Sequence, residues 1–260
     1  MGKYKEVTKE LIQLVQEKKS GKEISKILNL DYSTVHAKLR KLGISLPNYH
    51  NSLKFDNTVF ETIDSEEKAY WLGFLYADGY ISATVNTVEL SLKGSDIEHL
   101  KKYREFVKGH AEVKLSTISC NGKDFTRCRY SLTDKHYKET LVHLGCIPRK
   151  SLNLKFPSLD IFSYPNLIYP FIRGYVDGDG CLTFSKSGRL VLQILGTKEF
   201  LSGIQKIFPQ FHIYKKDKRS NVYAMSCACT PADEVAKKLY SDATIFLKRK
   251  YDRFCRAVQK

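Results

Sequence analysis

The sequence is short of acidic residues and of long apolar runs, and each shortage excludes a class of protein. Among its 260 residues, 28 are acidic and 43 are basic, which gives a net charge of +15. Such an excess of positive charge indicates a polyanionic partner and favours nucleic acid over a membrane surface. No apolar run is long enough to span a bilayer, and no apolar signal core follows the basic first residues. We therefore expect neither a membrane span nor a membrane partner.

The sequence also lacks the paired cysteine spacing of a disulfide framework or a zinc site. Cys227 and Cys229 flank one residue, but no second pair of ligands accompanies them, so we do not expect zinc. Seven scattered cysteines, an odd number, predict free thiols. We therefore expect an intracellular, reducing compartment, either the cytoplasm or nucleoid or an organelle that encodes the chain.

One segment of the sequence occurs twice. AYWLGFLYADGYI at 69–81 and PFIRGYVDGDGCL at 170–182 lie 101 residues apart. Each is an apolar run that ends in an acid followed by a glycine, and Asp78 and Asp179 fall in register. For a single copy, Asp-Gly could simply turn a helix into a strand. Two copies in register favour a shared functional role for the two acids.

Each copy also carries small residues four positions apart, Gly73 with Ala77 and Gly174 with Gly178. Such residues lie on one helix face and let two backbones approach more closely than the usual spacing of about 8–10 Å. The pattern predicts two helices packed about a pseudo-two-fold axis, with the two acids side by side at the helix C-termini. A helix C-terminus is negative, so paired carboxylates at such a place should need a cation between them.

The two segments resemble the signature of the LAGLIDADG homing endonucleases, in the single-chain form that carries two copies. The resemblance runs from about Phe55 to the C-terminus. The first copy carries Tyr76 where the second has Asp177. Since that position is not the family's catalytic acid, we interpret the difference as a packing variant.

This resemblance implies a function. The expected activity is that of a monomeric, site-specific homing endonuclease that uses Mg²⁺ or Mn²⁺ to cut both strands of a long DNA target, leaving short 3′ overhangs. One alternative is a DNA-binding regulator of the same fold without nuclease activity, although such regulators usually lack the two acids. The other is an intron maturase that binds its own intron RNA, and no feature of the sequence excludes that activity alongside cleavage.

The resemblance also implies the site residues. The catalytic acids would be Asp78 and Asp179, and the carbonyls of Ala77 and Gly178 would add metal ligands. Because a hairpin returns its second strand to where the first began, Lys93 should lie near Asp78. In the second copy Leu195 aligns with Lys93, and Gln193 is the nearest polar residue on that strand. The basic candidates for catalysis are Lys93, Lys150 and Lys248, with Lys250 beside them; each could instead contact phosphate or be solvated.

The segments after each motif show the same order of patterns: alternating strands, hairpin turns and amphipathic helices. The sequence thus predicts an α+β fold with two pseudo-symmetric α-β-β-α-β-β-α halves, at 64–150 and 151–260. Helices on one face of an antiparallel sheet leave the other face free, here as a saddle that could follow DNA. Basic side chains on that face suit phosphates and base edges. The predicted DNA contacts are Arg127, Arg129, Lys186, Arg189, Gln193 and Lys215.

Residues 1–46 predict a small, separate all-α domain that resembles a helix-turn-helix. Its 10 basic and 5 acidic residues give a net charge of +5, which favours DNA binding over a merely solvated bundle. The face of its third helix opposite the core should contact DNA through Ser33, His36, Ala37 and Arg40. Residues 47–63 show no periodicity and predict an extended linker, in which Lys54 could contact DNA.

Overall fold

The computed structural model describes residues 2–17, 19, 21–44, 55–120, 123–216 and 222–259. By its internal contacts the chain divides into two units, Met1–Phe55 and Asp56–Lys260. In the described ranges no helix combines the length and the apolar content needed to cross a membrane.

The described part of the first unit forms three helices, α1 (Gly2–Gln16), α2 (Gly21–Ile27) and α3 (Tyr32–Lys41). A short turn joins α2 to α3, and in it Asn29 has a positive φ of 47°. Asp31 stands at the N-cap of α3, as predicted, but its side chain accepts no hydrogen bond there. The buried residues of the three helices form one small apolar core, consisting of Leu11, Leu14, Ile24, Val35 and Leu39.

The second unit contains two halves with one order of elements, which confirms the predicted α-β-β-α-β-β-α pattern. The first half consists of α4 (Glu66–Asp78), β1 (Gly79–Ile81), β2 (Thr87–Lys93), α5 (Ile97–Phe106), β3 (Lys114–Cys120), β4 (Lys123–Thr133) and α6 (Lys135–His143). The second consists of α7 (Ile168–Asp179), β5 (Gly180–Phe184), β6 (Leu190–Gly196), α8 (Lys198–Ile207), β7 (His212–Lys215), β8 (Tyr223–Ala228) and α9 (Thr230–Tyr240), followed by α10 (Lys248–Val258).

Each half folds its strands into a four-stranded antiparallel sheet, with the orders β1-β2-β4-β3 and β5-β6-β8-β7. The predicted alternation is confirmed in β2, where Val88, Leu90 and Leu92 are buried. The two sheets differ in the length of their first hairpin. Gly79 pairs with Leu90, whereas Gly180 pairs with Ile194, so the second hairpin is three residues longer.

Residues 56–63, part of the stretch predicted to be a linker, pack into the second unit. Phe60 is fully buried, and its ring lies 5.5 Å from that of Phe106. The amide of Asp56 donates to the carbonyl of Val107 at 2.7 Å, and Ile63 bridges to Phe162. The predicted DNA contact Lys54 lies outside the described residues.

The two motif helices, α4 and α7, pack directly against each other through their glycines. A methyl group on Gly73 would overlap the carbonyl oxygen of Phe171, and one on Gly174 would overlap that of Tyr70. Tyr70 and Phe171 are themselves 101 residues apart, so the two contacts are related by the predicted pseudo-two-fold axis. The close packing predicted from the small residues is therefore confirmed, and it fixes where both helices end.

We expect Gly73→Ala to destabilise the protein, although alanine favours a helix over glycine by up to about 1 kcal/mol. The added methyl group must displace the backbone of the other helix, which typically costs about 1–3 kcal/mol. Urea denaturation measures the difference. Glu67→Ala, at an exposed position of the same helix, is the control and should change the free energy of unfolding by less than about 0.5 kcal/mol. A Gly73→Ala variant as stable as the wild type would contradict the packing.

Candidate active site

The two acids of the repeated motif are the last residues of α4 and α7. Gly79 and Gly180 follow them and begin the first strand of each sheet. The helices are still in contact at this end, because a methyl group on Gly178 would lie 3.3 Å from the Oδ2 atom of Asp78. The close packing of the helices therefore brings the two carboxyl groups together at one place.

Burial makes both carboxyl groups hard to ionise, and the charge of Asp179 adds to this effect at Asp78. Burial, followed by the charge of Asp179, raises the pKa of Asp78 to about 6, against the opposing charges of Lys150, Lys250 and Arg249. Burial also raises the pKa of Asp179, while the same two lysines oppose the shift. Two ionised carboxylates at this place would repel each other, and a further cation would stabilise them.

Two lysines bind the backbone at the ends of the motif helices. The Lys150 ammonium donates to the carbonyl of Ala77, and the Lys250 ammonium donates to that of Gly178 at 3.3 Å. Lys250 also donates to the carbonyls of Val176, Asp177 and Gly180 at 2.6, 2.6 and 2.7 Å. The last carbonyls of a helix have no partner within it, so each ammonium completes a helix end.

These two lysines lie beside the acids, Lys250 buried and Lys150 half-buried. Lys250 is 3% exposed. Burial lowers its pKa to about 8, against the opposing charges of Asp177, Asp78 and Asp179. Burial likewise lowers the pKa of Lys150, and Cys146, Asp179 and Asp78 oppose that shift. The site thus combines two carboxylates with two ammonium groups in a region of low solvent access.

The structure places the other predicted lysines away from this cluster. The side chain of Lys248 is 83% exposed and pairs with Asp252 at 2.9 Å, because it lies on the outer face of α10, whereas Lys250 lies on the buried face. Lys93 is exposed at the end of β2, three residues beyond Leu90, the partner of Gly79. Three residues of strand correspond to about 10 Å.

The sheet register corrects the predicted alignment of the two halves. Because Ile194 corresponds to Leu90, the residue equivalent to Lys93 is Thr197 and not Leu195. Thr197 is buried at the N-cap of α8, where its hydroxyl accepts from the amide of Phe200. The three additional residues of the second hairpin cause the shift. The second half still has no lysine at this position.

The free face of the first sheet carries several of the predicted DNA contacts. Arg127 and Arg129 lie there beside Lys93 and Ser91, their partners on β2. The Nε atom of Arg127 donates to Ser116 at 3.2 Å, and Arg129 lies 3.7 Å from Glu89. This surface is therefore basic but already partly paired.

The second sheet presents fewer charges on its free face. Gln193 lies on this face and donates to the hydroxyl of Tyr214. Lys186 and Arg189 are exposed in the turn between β5 and β6 rather than on the strands. Lys215 pairs with Tyr223, so it shares the side of the buried Met225 and not that of Gln193. The prediction that Lys215 lies on the free face is thus not supported by the register.

On the third helix of the first unit, the predicted contact face is opposite the buried Val35 and Leu39. His36 is partly buried, and its ring lies 4.4 Å from the ring of Tyr32. The remaining predicted contacts on this face are exposed: Ser33, Ala37 and Arg40.

The oxygen atoms at the two helix ends suit a hard divalent cation. Mg²⁺ prefers oxygen ligands and is often held by one or two carboxylates together with water and phosphate oxygens. The carboxylates of Asp78 and Asp179 provide this donor set, and each carbonyl that accepts from a lysine keeps a second lone pair. No group of three or more His, Cys, Asp or Glu side chains that could hold a metal occurs among the described residues. The site therefore fits a metal ion whose coordination shell is completed by water or phosphate oxygens.

No protein-family model matches the sequence, and no curated protein matches it either. Among solved structures the chain is similar to the I-SmaMI LAGLIDADG homing endonuclease bound to cleaved DNA, with 14% identity, 72% of this chain and 87% of that chain covered, and a TM-score of 0.45. It is also similar to the I-LtrWI LAGLIDADG homing endonuclease bound to target DNA, with 13% identity, coverages of 75% and 92%, and a TM-score of 0.46. A structure of I-SmaMI with uncleaved DNA and calcium ions has 15% identity, coverages of 70% and 84%, and a TM-score of 0.41.

We expect Asp78→Asn to be more stable than the wild type at pH 7 in metal-free buffer, with the difference vanishing near pH 4. A carboxyl whose folded pKa is about 6 holds its proton more strongly than in the unfolded chain. Raising the pH from about 4 to above 6 therefore costs stability, up to about 3 kcal/mol for a shift of this size. Asparagine keeps the shape and removes this cost.

Urea denaturation at pH 4 and pH 7, with a chelator present, measures the effect. Asp252→Asn is the control, since Asp252 pairs with Lys248 on the exposed face of α10. An Asp78→Asn variant that differs from the wild type by the same free energy at both pH values would show that ionisation of Asp78 costs nothing.

Proposed function

We propose that the chain is a monomeric, site-specific DNA endonuclease that uses Mg²⁺ or Mn²⁺ to cut both strands of a long target. The observation that carries this proposal is the pair formed by Asp78 and Asp179, at the adjacent ends of two close-packed helices. Each acid belongs to a half with the same sheet topology. The two strands of a duplex are related by a two-fold axis, so two acids related in the same way suit one cut on each strand.

The residues of the site have separate roles in this proposal. Asp78 and Asp179 would hold a divalent cation, and the carbonyls of Ala77 and Gly178 would provide further oxygen atoms. When bound, the cation would supply the charge needed to activate water and to stabilise the leaving oxygen of a phosphodiester. The ammonium groups of Lys150 and Lys250 lie beside the same carbonyls, where they stabilise the negative charge that develops on the phosphate.

The binding of the duplex is distributed over several surfaces in this proposal. The free face of the first sheet, with Arg127 and Arg129, contacts phosphates and base edges. In the first unit the short helix, turn and longer helix form a helix-turn-helix, whose face with Ser33 and Arg40 extends the target. The short 3′ overhangs follow from the family resemblance, and an intracellular location follows from the scattered, unpaired spacing of the cysteines.

The acid present in each half distinguishes this proposal from a DNA-binding regulator. A DNA-binding regulator needs neither acid. Two buried like charges lower the stability of the fold, and a regulator gains no catalytic activity from them. This chain has both carboxylates and two lysines beside them, of which Lys250 is buried and Lys150 half-buried. We therefore place the endonuclease first.

We expect Asp78→Asn and Asp179→Asn each to abolish double-strand cleavage while DNA affinity stays within about tenfold, or about 1.4 kcal/mol. Each substitution removes one of two charges that hold the cation but leaves the DNA-binding faces intact. The target is first recovered by selecting cleaved plasmids from a randomised library, and cleavage is then followed on a supercoiled plasmid that carries it.

Asp252→Asn is the matched control for these two variants and should cut at the wild-type rate, since Asp252 pairs with the exposed Lys248. If either Asp78→Asn or Asp179→Asn cut DNA at the wild-type rate, the acid replaced in that variant would not belong to the active site.

We expect Arg40→Ala to weaken binding and to lower the slope of log affinity against log salt by about 1, because one phosphate contact is lost. Lys9→Ala changes a charge at an exposed position of α1, outside the proposed contact face, and is the control. Binding is measured by fluorescence anisotropy at several salt concentrations. An unchanged slope in Arg40→Ala would mean that this face of α3 does not contact DNA.

A further inference from the structure

Two residues at one position of the motif helices lie two places before the acids, and their side chains are neither proposed metal ligands nor proposed catalytic groups. They are Tyr76 and Asp177, and they are 1% and 0% exposed. One is a phenol and the other a carboxylate, so the pseudo-symmetry of the helices is broken at this position. Each of them nevertheless contacts the segment that leads from the third helix of its own half to Lys150 or Lys250.

In the first half the contact is made by a hydroxyl group. Tyr76 donates from its Oη atom to the carbonyl of Leu144, the C-cap residue of α6. The next residue, Gly145, has a φ of 97°, and a methyl group there would overlap the Tyr76 hydroxyl. Six residues after Leu144, Lys150 returns to bind the carbonyl of Ala77, the neighbour of Tyr76. The segment is therefore bound to α4 at both ends.

In the second half the contact is made by a buried carboxylate. Asp177 accepts from the amide of Leu247, immediately before α10, at 2.7 Å. It also accepts from the hydroxyls of Tyr240 and Tyr70 at 2.7 and 2.8 Å. A carboxylate at a helix N-terminus is stabilised by the helix dipole. Three residues after Leu247, Lys250 returns to the carbonyls at the end of α7, so this segment too is bound at both ends.

A second buried side chain of α7 fixes the same segment. Arg173 lies one turn before Asp177 and donates to the carbonyls of Leu239 and Ile245 at 2.8 and 3.0 Å. The connection between α9 and α10 therefore has little freedom relative to α7. The direction in which α10 starts, and with it the place of Lys250, depends on this set of hydrogen bonds.

We propose that Tyr76 and Asp177 are positioning residues, each of which holds one lysine against the carbonyls beside the acid of its own half. Tyr76 positions Lys150 by a neutral hydrogen bond to a helix C-cap, and Asp177 positions Lys250 by a carboxylate at a helix N-terminus. The catalytic consequence rests on the proposed function: each lysine serves the cut on one DNA strand. Because the two halves use different groups, the two cuts can be disturbed one at a time.

The first test uses the free protein and needs no DNA. Lysines are acetylated with an activated ester, and the rate at each lysine is measured by mass spectrometry relative to the exposed Lys248. Tyr76→Phe should raise the acetylation rate at Lys150 roughly fivefold or more and leave the rate at Lys250 unchanged. Asp177→Asn should raise the rate at Lys250 and leave the rate at Lys150 unchanged. Each substitution removes a hydrogen bond that holds the segment carrying the lysine. Tyr103→Phe removes another buried hydroxyl, which pairs with that of Tyr137, and should change neither lysine.

The second test measures the cut on each strand of the recovered target, with the two strands carrying different end labels. Tyr76→Phe should slow one strand roughly tenfold, and Asp177→Asn the other, while DNA affinity and thermal stability remain close to those of the wild type. The double variant of Asp177→Asn with Lys250→Met should cut no more slowly than Lys250→Met alone. Asp177 acts through Lys250 in this proposal, so its replacement has no further effect once the lysine is absent. Tyr76→Phe with Lys150→Met provides the same comparison in the other half.

The outcomes separate this proposal from the proposed function. A wild-type protein that cuts no DNA contradicts the endonuclease, while the acetylation rates still decide whether the two residues position the lysines. Acetylation rates that rise at both lysines, or at neither, overturn the positioning role. Selective acetylation combined with equal slowing of both strands overturns the assignment of one lysine to each strand.

Discussion

The structure depends on the close approach of two backbones at Gly73 and Gly174. A side chain at either position would overlap a carbonyl oxygen of the other helix, so this close crossing requires glycine there. The approach brings the ends of α4 and α7 together and thereby fixes the two sheets that begin at Gly79 and Gly180. The position of the acids is therefore a consequence of helix packing rather than of any loop.

The same packing creates the electrostatic problem that the rest of the site addresses. Two carboxylates meet at the negative ends of two helices, where burial weakens the screening by water. Lys150 and Lys250 partly offset this cost, since their ammonium groups bind the terminal carbonyls and oppose the rise in the pKa of both acids. Lys150 reaches the site from the segment that follows α6, and Lys250 reaches it from α10. Tyr76 holds the first of these segments in place and Asp177 the second.

The main features of this arrangement are visible in the sequence because they are local or repeated. The glycine stripes, the register of the two acids and the alternation in β2 each follow from a period that a single segment displays. The predictions that the structure corrected concern features set by tertiary structure rather than by a local sequence pattern. Because the second hairpin is three residues longer than the first, the equivalent of Lys93 is Thr197 and not the predicted Leu195. The start of α10 decided that Lys250, and not Lys248, is buried, since neighbouring positions of a helix face different directions. The contact of Asp177 with Leu247 joins residues 70 positions apart, and no local pattern indicates it.

Mn²⁺ binding, measured by electron paramagnetic resonance, shows whether Asp78 and Asp179 act together on one cation site. The measurement uses the protein bound to its target duplex, because phosphate oxygens complete the coordination of such ions. We expect Asp78→Asn and Asp179→Asn each to weaken Mn²⁺ binding at least about tenfold, or about 1.4 kcal/mol. Full Mn²⁺ affinity in either single variant would show that the two acids do not share a site.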